Sequence, residues 1–163
     1  MEEEVNSGAM ERWVRVCRSW EEEAEADREF WMRFSPEERV GLVEPADPEH
    51  TRFLAFLSTR GIRALLCGVH AIAFYSKPRY CETLQVFVDV VAESVARHAA
   101  DKSIEIVTTI PVVTFEEAWS QRVAGTFRGE RVYFVSRQHL HRSRKASTEL
   151  YASWDAELLS SFL

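Results

Sequence analysis

Leu65-Leu66-Cys67-Gly68-Val69-His70-Ala71-Ile72-Ala73-Phe74, then Pro78-Arg79-Tyr80, then Leu84-Gln85-Val86-Phe87-Val88-Asp89 is the stretch that decides the architecture. Its first part, from Arg63 to Cys67, is a short apolar run that reads as a buried strand. Val69 to Tyr75 reads as a short helix and Leu84 to Asp89 as a second strand. Toward the C-terminus the alternation continues. Val90 to Ala100 reads as helix and Ser103 to Val107 as a third strand, and Thr114 with Glu117 forms a capping box for a helix through Trp119. Val123 to Phe127 and Arg131 to Val135 flank Arg128-Gly129-Glu130, which predicts a hairpin. Ser136 caps a further helix, and Leu150, Tyr151, Trp154, Leu158 and Leu159 have the spacing of a last one.

Toward the N-terminus, Gly61 ends a helix that Asp47-Pro48-Glu49 starts and that carries Phe53, Leu54, Phe56 and Leu57. Ser35-Pro36-Glu37-Glu38 is another capping box, opening a short helix to about Val43. Helices alternating with strands predict an α/β or α+β fold, a small mixed sheet flanked by helices and preceded by a helical extension. Met10, Trp13, Cys17, Trp20, Ala24, Asp27, Trp31 and Phe34 recur at three and four spacing, so they predict one stripe of a long N-terminal helix. Only Asp27 interrupts it, and Glu21, Glu22, Glu23, Glu25 and Glu29 occupy the other face. Such an aromatic seam needs a partner surface: its own domain, another protein, or a second copy joined through Trp13, Trp20 and Trp31.

Composition sets the outer limits. The chain has 163 residues, 46% hydrophobic and 28% charged, which suits one globular domain rather than a disordered or fibrous chain. Its net charge is −6, so free nucleic acid is not an expected partner. The acidity is uneven: residues 1 to 50 hold six Arg and fifteen Asp or Glu, and the remainder is net positive. No stretch approaches the roughly 20 apolar residues of a membrane span, and Met1 to Val5 are acidic where a secretory signal is basic, so a cytoplasmic protein is expected. Cys17, Cys67 and Cys81 make no CxxC pair and predict reduced thiols.

The central segments resemble the minimal nucleotidyltransferase family. In that family a strand runs into Gly-Gly or Gly-Ser at a helix start, a Pro-Arg-x-Thr segment follows, and the next strand carries Asp-x-Asp. Ile104-Glu105-Ile106 falls where the family places a third carboxylate. Phe115 to Trp119 is similar to a recurrent helix, and Val135 to Leu140 with Arg144-Lys145 to the closing segment. The resemblance covers about residues 50 to 155. It implies an acidic helical extension over residues 1-46 and a nucleotidyltransferase-like domain over 47-163. It also implies a triphosphate-binding turn at Gly68 and Val69, with Arg79 and Lys145 as phosphate contacts.

Nucleotidyl transfer uses two divalent ions about 3.5 to 4 Å apart, held by acids at i and i+2 of a strand, which face the same side. Here those positions are Thr83 and Gln85, neutral residues, and an amide donor repels a cation. Glu82 has the wrong parity and Asp89 lies about 13 Å along the strand. Glu105 is the residual catalytic candidate. Val69 in place of a small residue crowds the phosphate cradle, because a branched side chain disfavours positive φ.

His70, just past Gly68, reads as a capping or core histidine ahead of a nucleotide contact. His139 and His141, two apart, read as solvated. His50 and His98 show no partner spacing, and the metal assignment is none. For Arg137, Arg142, Arg144 and Lys145, phosphate contact, pairing with Glu21 to Glu29 and simple solvation are all open. The resulting expectation is a catalytically impaired nucleotidyltransferase-like protein, a pseudoenzyme without a cofactor, acting as a binding or regulatory module for a protein partner. The alternatives are an active toxin or antitoxin type transferase using Mg²⁺ and a nucleoside triphosphate, or a structural oligomerisation protein. A nucleotide, if bound, is expected to be held weakly.

Overall fold

The structure, a computed structural model, describes residues 16–44, 47–99 and 103–162. Its elements in chain order are α1 (Trp20–Trp31), α2 (Pro36–Gly41), α3 (Pro48–Thr59), β1 (Ala64–Leu66), α4 (Val69–Tyr75), β2 (Leu84–Val88) and α5 (Glu93–His98). There follow β3 (Ile104–Val107), α6 (Phe115–Ser120), β4 (Val123–Phe127), β5 (Glu130–Phe134), α7 (Arg137–Ala146) and α8 (Ala152–Ser161). The strands form one mixed sheet in the order β3-β2-β1-β5-β4. β1 is antiparallel to β2 and parallel to β5, β2 is parallel to β3, and β4 with β5 is an antiparallel hairpin. The expected α/β class, with helices before the sheet, is what the chain forms.

Local chemistry accounts for the boundaries. The Ser35 and Thr114 hydroxyls accept from the Glu38 and Glu117 backbone N–H, and both glutamates reach back, so both capping boxes are complete. Gly61 ends α3 with φ +65, and Arg128 and Gly129 turn the hairpin with φ 49 and 86, the paired positive values that a two-residue turn of this hand requires. Val86 and Phe87 point to opposite faces of β2 and both are fully buried, so helices cover both sides of the sheet. Phe87 meets Phe115 edge-on at 5.1 Å, and Phe74 stacks on Phe134 at 4.1 Å.

The N-terminal stripe is corrected. Met10 and Trp13 lie outside the described residues, and α1 begins at Trp20, because extended Ser19 caps it by accepting from the Glu22 N–H. Trp20 is 82% exposed and Ala26 is the buried residue of this helix. Trp31 packs against the core among Phe30 and Phe34. Asp27 is a tether here: it accepts from Trp31 Nε1 at 3.1 Å and from Lys77 Nζ at 2.5 Å.

α2 packs against α4. Arg39 in α2 is buried and donates to the carbonyls of Phe34, Ala73 and Phe74 at 2.6, 3.1 and 2.7 Å, satisfying chain ends of α4. Val40 is fully buried in the same core as β1 and β2, and Val43 is fully buried as well. Among the described residues, no helix is long and apolar enough to cross a membrane.

Candidate functional site

Parallel pairing of β2 with β3 sets Gln85 beside Glu105, on the face that also carries Phe87 and Val107. The Gln85 carboxamide donates to the Glu105 carboxylate at 3.2 Å through Nε2. Its Oε1 accepts from the Cys67 thiol at 3.5 Å, and the Cys67 N–H donates to the Gln85 carbonyl at 3.3 Å. Burial pushes the Cys67 thiol far above its ordinary range. Arg144 opposes that shift, and Glu105 and Glu149 reinforce it. Cys67 is therefore a protonated donor and not a nucleophile.

Gly68 closes this corner from above. It caps α4 with φ −89, so positive φ is not what the position demands, and Val69 enters the helix without strain of that kind. The demand is space: a Cβ on Gly68 would lie 2.8 Å from the Gln85 Cβ and 3.0 Å from its Oε1. The glycine lets the glutamine side chain fill the corner. Packing against Gln85 therefore gives Gly68 a reason that does not depend on a phosphate.

The other expected residues disperse. Thr83 precedes β2, half-buried, and its carbonyl accepts from the Cys81 thiol at 3.5 Å. Glu82 accepts from Tyr80 Oη at 2.5 Å. Asp89 pairs with Arg63 at 3.2 Å, and Arg63 also holds Glu116 at 2.6 Å. Neither acid joins Glu105. The residues present do not fit a pair of divalent ions: one exposed carboxylate faces a satisfied amide, and the neighbouring acids are engaged elsewhere.

Arg79 is half-buried. It pairs with Asp155 at 3.0 Å and lies over the rings of Tyr151 and Trp154 at 5.3 and 5.9 Å. Asp155 is fully buried and also accepts from Arg144 Nε and a terminal nitrogen at 3.1 and 2.9 Å. Arg144 reaches Glu149 at 2.7 Å as well. Lys145 is exposed and, among the described residues, makes no ion pair. Pairing of this basic cluster with α1 is not what forms: Arg137 donates to the carbonyls of Tyr75 and Leu159, and Arg142 holds Glu117 and the Val112 carbonyl.

The histidines need the largest revision. His139 is buried, not solvated, and His98 stacks on Phe56 at 3.7 Å. His50, expected to be without a partner, meets Glu44 through Nδ1 at 2.5 Å and the Ser103 carbonyl through Nε2 at 2.9 Å. His70 Nε2 lies 3.3 Å from the same Glu44 oxygen, and all three residues are buried. Sequence reasoning missed this group, although one signal was there. His50 stands three, four and seven residues before Phe53, Leu54 and Leu57, on the buried stripe of α3.

Comparison with protein-family models, curated proteins and solved structures found no match to this chain.

Proposed function

We propose that the protein is a catalytically impaired nucleotidyltransferase-like module that binds a protein partner. The observation that carries this reading is the Gln85 carboxamide, whose donor is taken by Glu105 and whose oxygen is taken by Cys67. An amide so placed offers no anionic oxygen, and turning it toward a cation costs both hydrogen bonds. Arg79, one of the expected phosphate contacts, already shares Asp155 with Arg144.

The partner half of the reading rests on α1. Trp20 is 82% exposed beside exposed Glu21, Glu22 and Glu23, a large aromatic anchor next to a run of acidic side chains. The chemistry that fits is a protein segment with an apolar pocket and a basic rim.

Incubation with labelled nucleoside triphosphates, Mg²⁺ or Mn²⁺ and cell extract tests the first half; no transfer is expected, and Glu105-dependent transfer overturns it. A photo-crosslinker introduced beside Trp20 tests the second half. A basic adduct lost in Trp20→Glu is expected. Crosslinks only between copies of this chain, with a matching dimer in light scattering, would replace the partner with self-association.

A further inference from the structure

We propose that Glu44, His50 and His70 form a buried structural site for one divalent transition-metal ion of the zinc class. The inference is independent of the nucleotidyltransferase reading. The three ligand atoms lie within 4.8 Å of one another, and the three residues are 7%, 0% and 1% exposed. They come from separate elements: Glu44 follows α2, His50 lies in the first turn of α3, and His70 in that of α4.

Two imidazoles with one carboxylate are a donor set suited to zinc, which binds nitrogen at about 2.0 to 2.1 Å and carboxylate oxygen at about 2.0 to 2.2 Å. Two tetrahedral ligands at that radius stand about 3.3 Å apart. The Glu44 to His70 distance is already 3.3 Å. The Glu44 to His50 distance is 2.5 Å, so this pair must open by somewhat under about 1 Å. The imidazole rings, at 6.3 Å between centroids and nearly perpendicular, leave room for an ion between them.

Hydrogen bonding around His50 favours the same assignment. The Ser103 carbonyl is an acceptor 2.9 Å from Nε2, so it fixes the ring proton there and turns the Nδ1 lone pair toward Glu44. Two such acceptors facing each other need a cation to share: a proton at the present 2.5 Å, or a metal ion once the pair opens to about 3.3 Å. Metal-bound histidines characteristically give their second N–H to such a carbonyl. His70 Nδ1 is buried with no hydrogen-bond partner, so this ring is held through Nε2, the atom that faces Glu44.

The surroundings define the type of site. Arg128 donates to the Glu44 backbone carbonyl at 2.7 Å, Asp47 lies 3.6 Å from His50 Nε2, and Phe127 packs edge-on against His70 at 5.5 Å. Complete burial leaves the fourth position to a trapped water and not to a substrate. The ion's role is then to fasten the chain after α2 to α3 and α4, and binding stabilises the fold by mass action.

The test uses the full chain, stripped with a chelator and dialysed, then titrated with Zn²⁺ and with Co²⁺. One equivalent should bind, with the visible absorption of tetrahedral cobalt, and the melting temperature should rise with zinc concentration. His70→Ala should weaken binding more than about 100-fold, beyond the upper end of the loss caused by removing an outer partner. Glu44→Gln, which keeps the volume, supplies the same readout if His70→Ala does not fold. Identical melting in chelator and in zinc, with no metal retained, would mean that a proton alone occupies the gap, and the proposal fails. Binding that survives both substitutions also overturns it, because the ion then sits elsewhere.

Discussion

The corner of Gly68, Gln85 and Glu105 and the knot of Glu44, His50 and His70 are both polar groups set into one sheet-and-helix core, and they are held in opposite ways. In the corner, two residues on adjacent strands meet because β2 and β3 are in register, and water reaches the exposed Glu105. In the knot, a connection and two helices converge and all three side chains are buried. The same types of hydrogen bond therefore carry different weight. Solvent replaces a lost partner in the corner, whereas an unpaired group in the knot stays unpaired in a medium of low dielectric.

The sharpest way to break this contrast is His50→Ala, measured by urea unfolding in the presence of chelator. It leaves the Glu44 carboxylate buried without its closest partner, and a loss of about 3 to 5 kcal/mol is expected. A loss as small as that of a surface residue would mean that Glu44 is already uncharged, and the contrast would shrink. Next in size is Gly68→Ala, which drives a Cβ onto the Gln85 side chain; about 1 to 3 kcal/mol is expected. In a double-mutant cycle Gln85→Gly should recover most of that loss, because the closest contact is to the Gln85 Cβ, which alanine would keep. If it does not, the glycine serves something other than the glutamine.

A smaller effect comes from His139. Burial, with Arg142 adding repulsion and Glu117 opposing, holds its imidazole below the ordinary value of 6.5. The unfolded chain then takes up the proton first as pH falls, so this contribution to stability is whole above about 6.5 and declines below it. Urea midpoints from pH 7.5 to 5.5 should fall less steeply in His139→Gln than in the native chain. Equal slopes would sink the assignment. Smallest of all is Glu105→Gln, at an exposed hydrogen bond, with a change within about 0.5 kcal/mol. A larger loss would make the corner as critical as the knot.

Legibility followed the range of the interaction. Ser35 with Glu38, Thr114 with Glu117, and the Arg128-Gly129 turn were readable because each is complete within a few residues. The β2 and β3 segments showed as apolar runs, and strand geometry placed Glu82 on the opposite face and Asp89 about 13 Å along from Gln85. The aromatic stripe misled because its spacing fits a helix that Ser19 caps only at Trp20. The role of Arg79 as an ion-pair partner was not legible because its acceptor, Asp155, lies 76 residues away on α8.

The amino-acid order by itself determined the mixed α/β class, most helix starts, and the neutrality of Thr83 and Gln85, since propensity, capping and side-chain chemistry act locally. Only the tertiary structure decided that Gly68 is needed for Gln85, that Arg79 and Arg144 share one buried carboxylate, and that Glu44, His50 and His70 converge. Those meetings depend on how α2, α3, α4 and α8 pack, and burial is a property of the assembled core that no single segment carries.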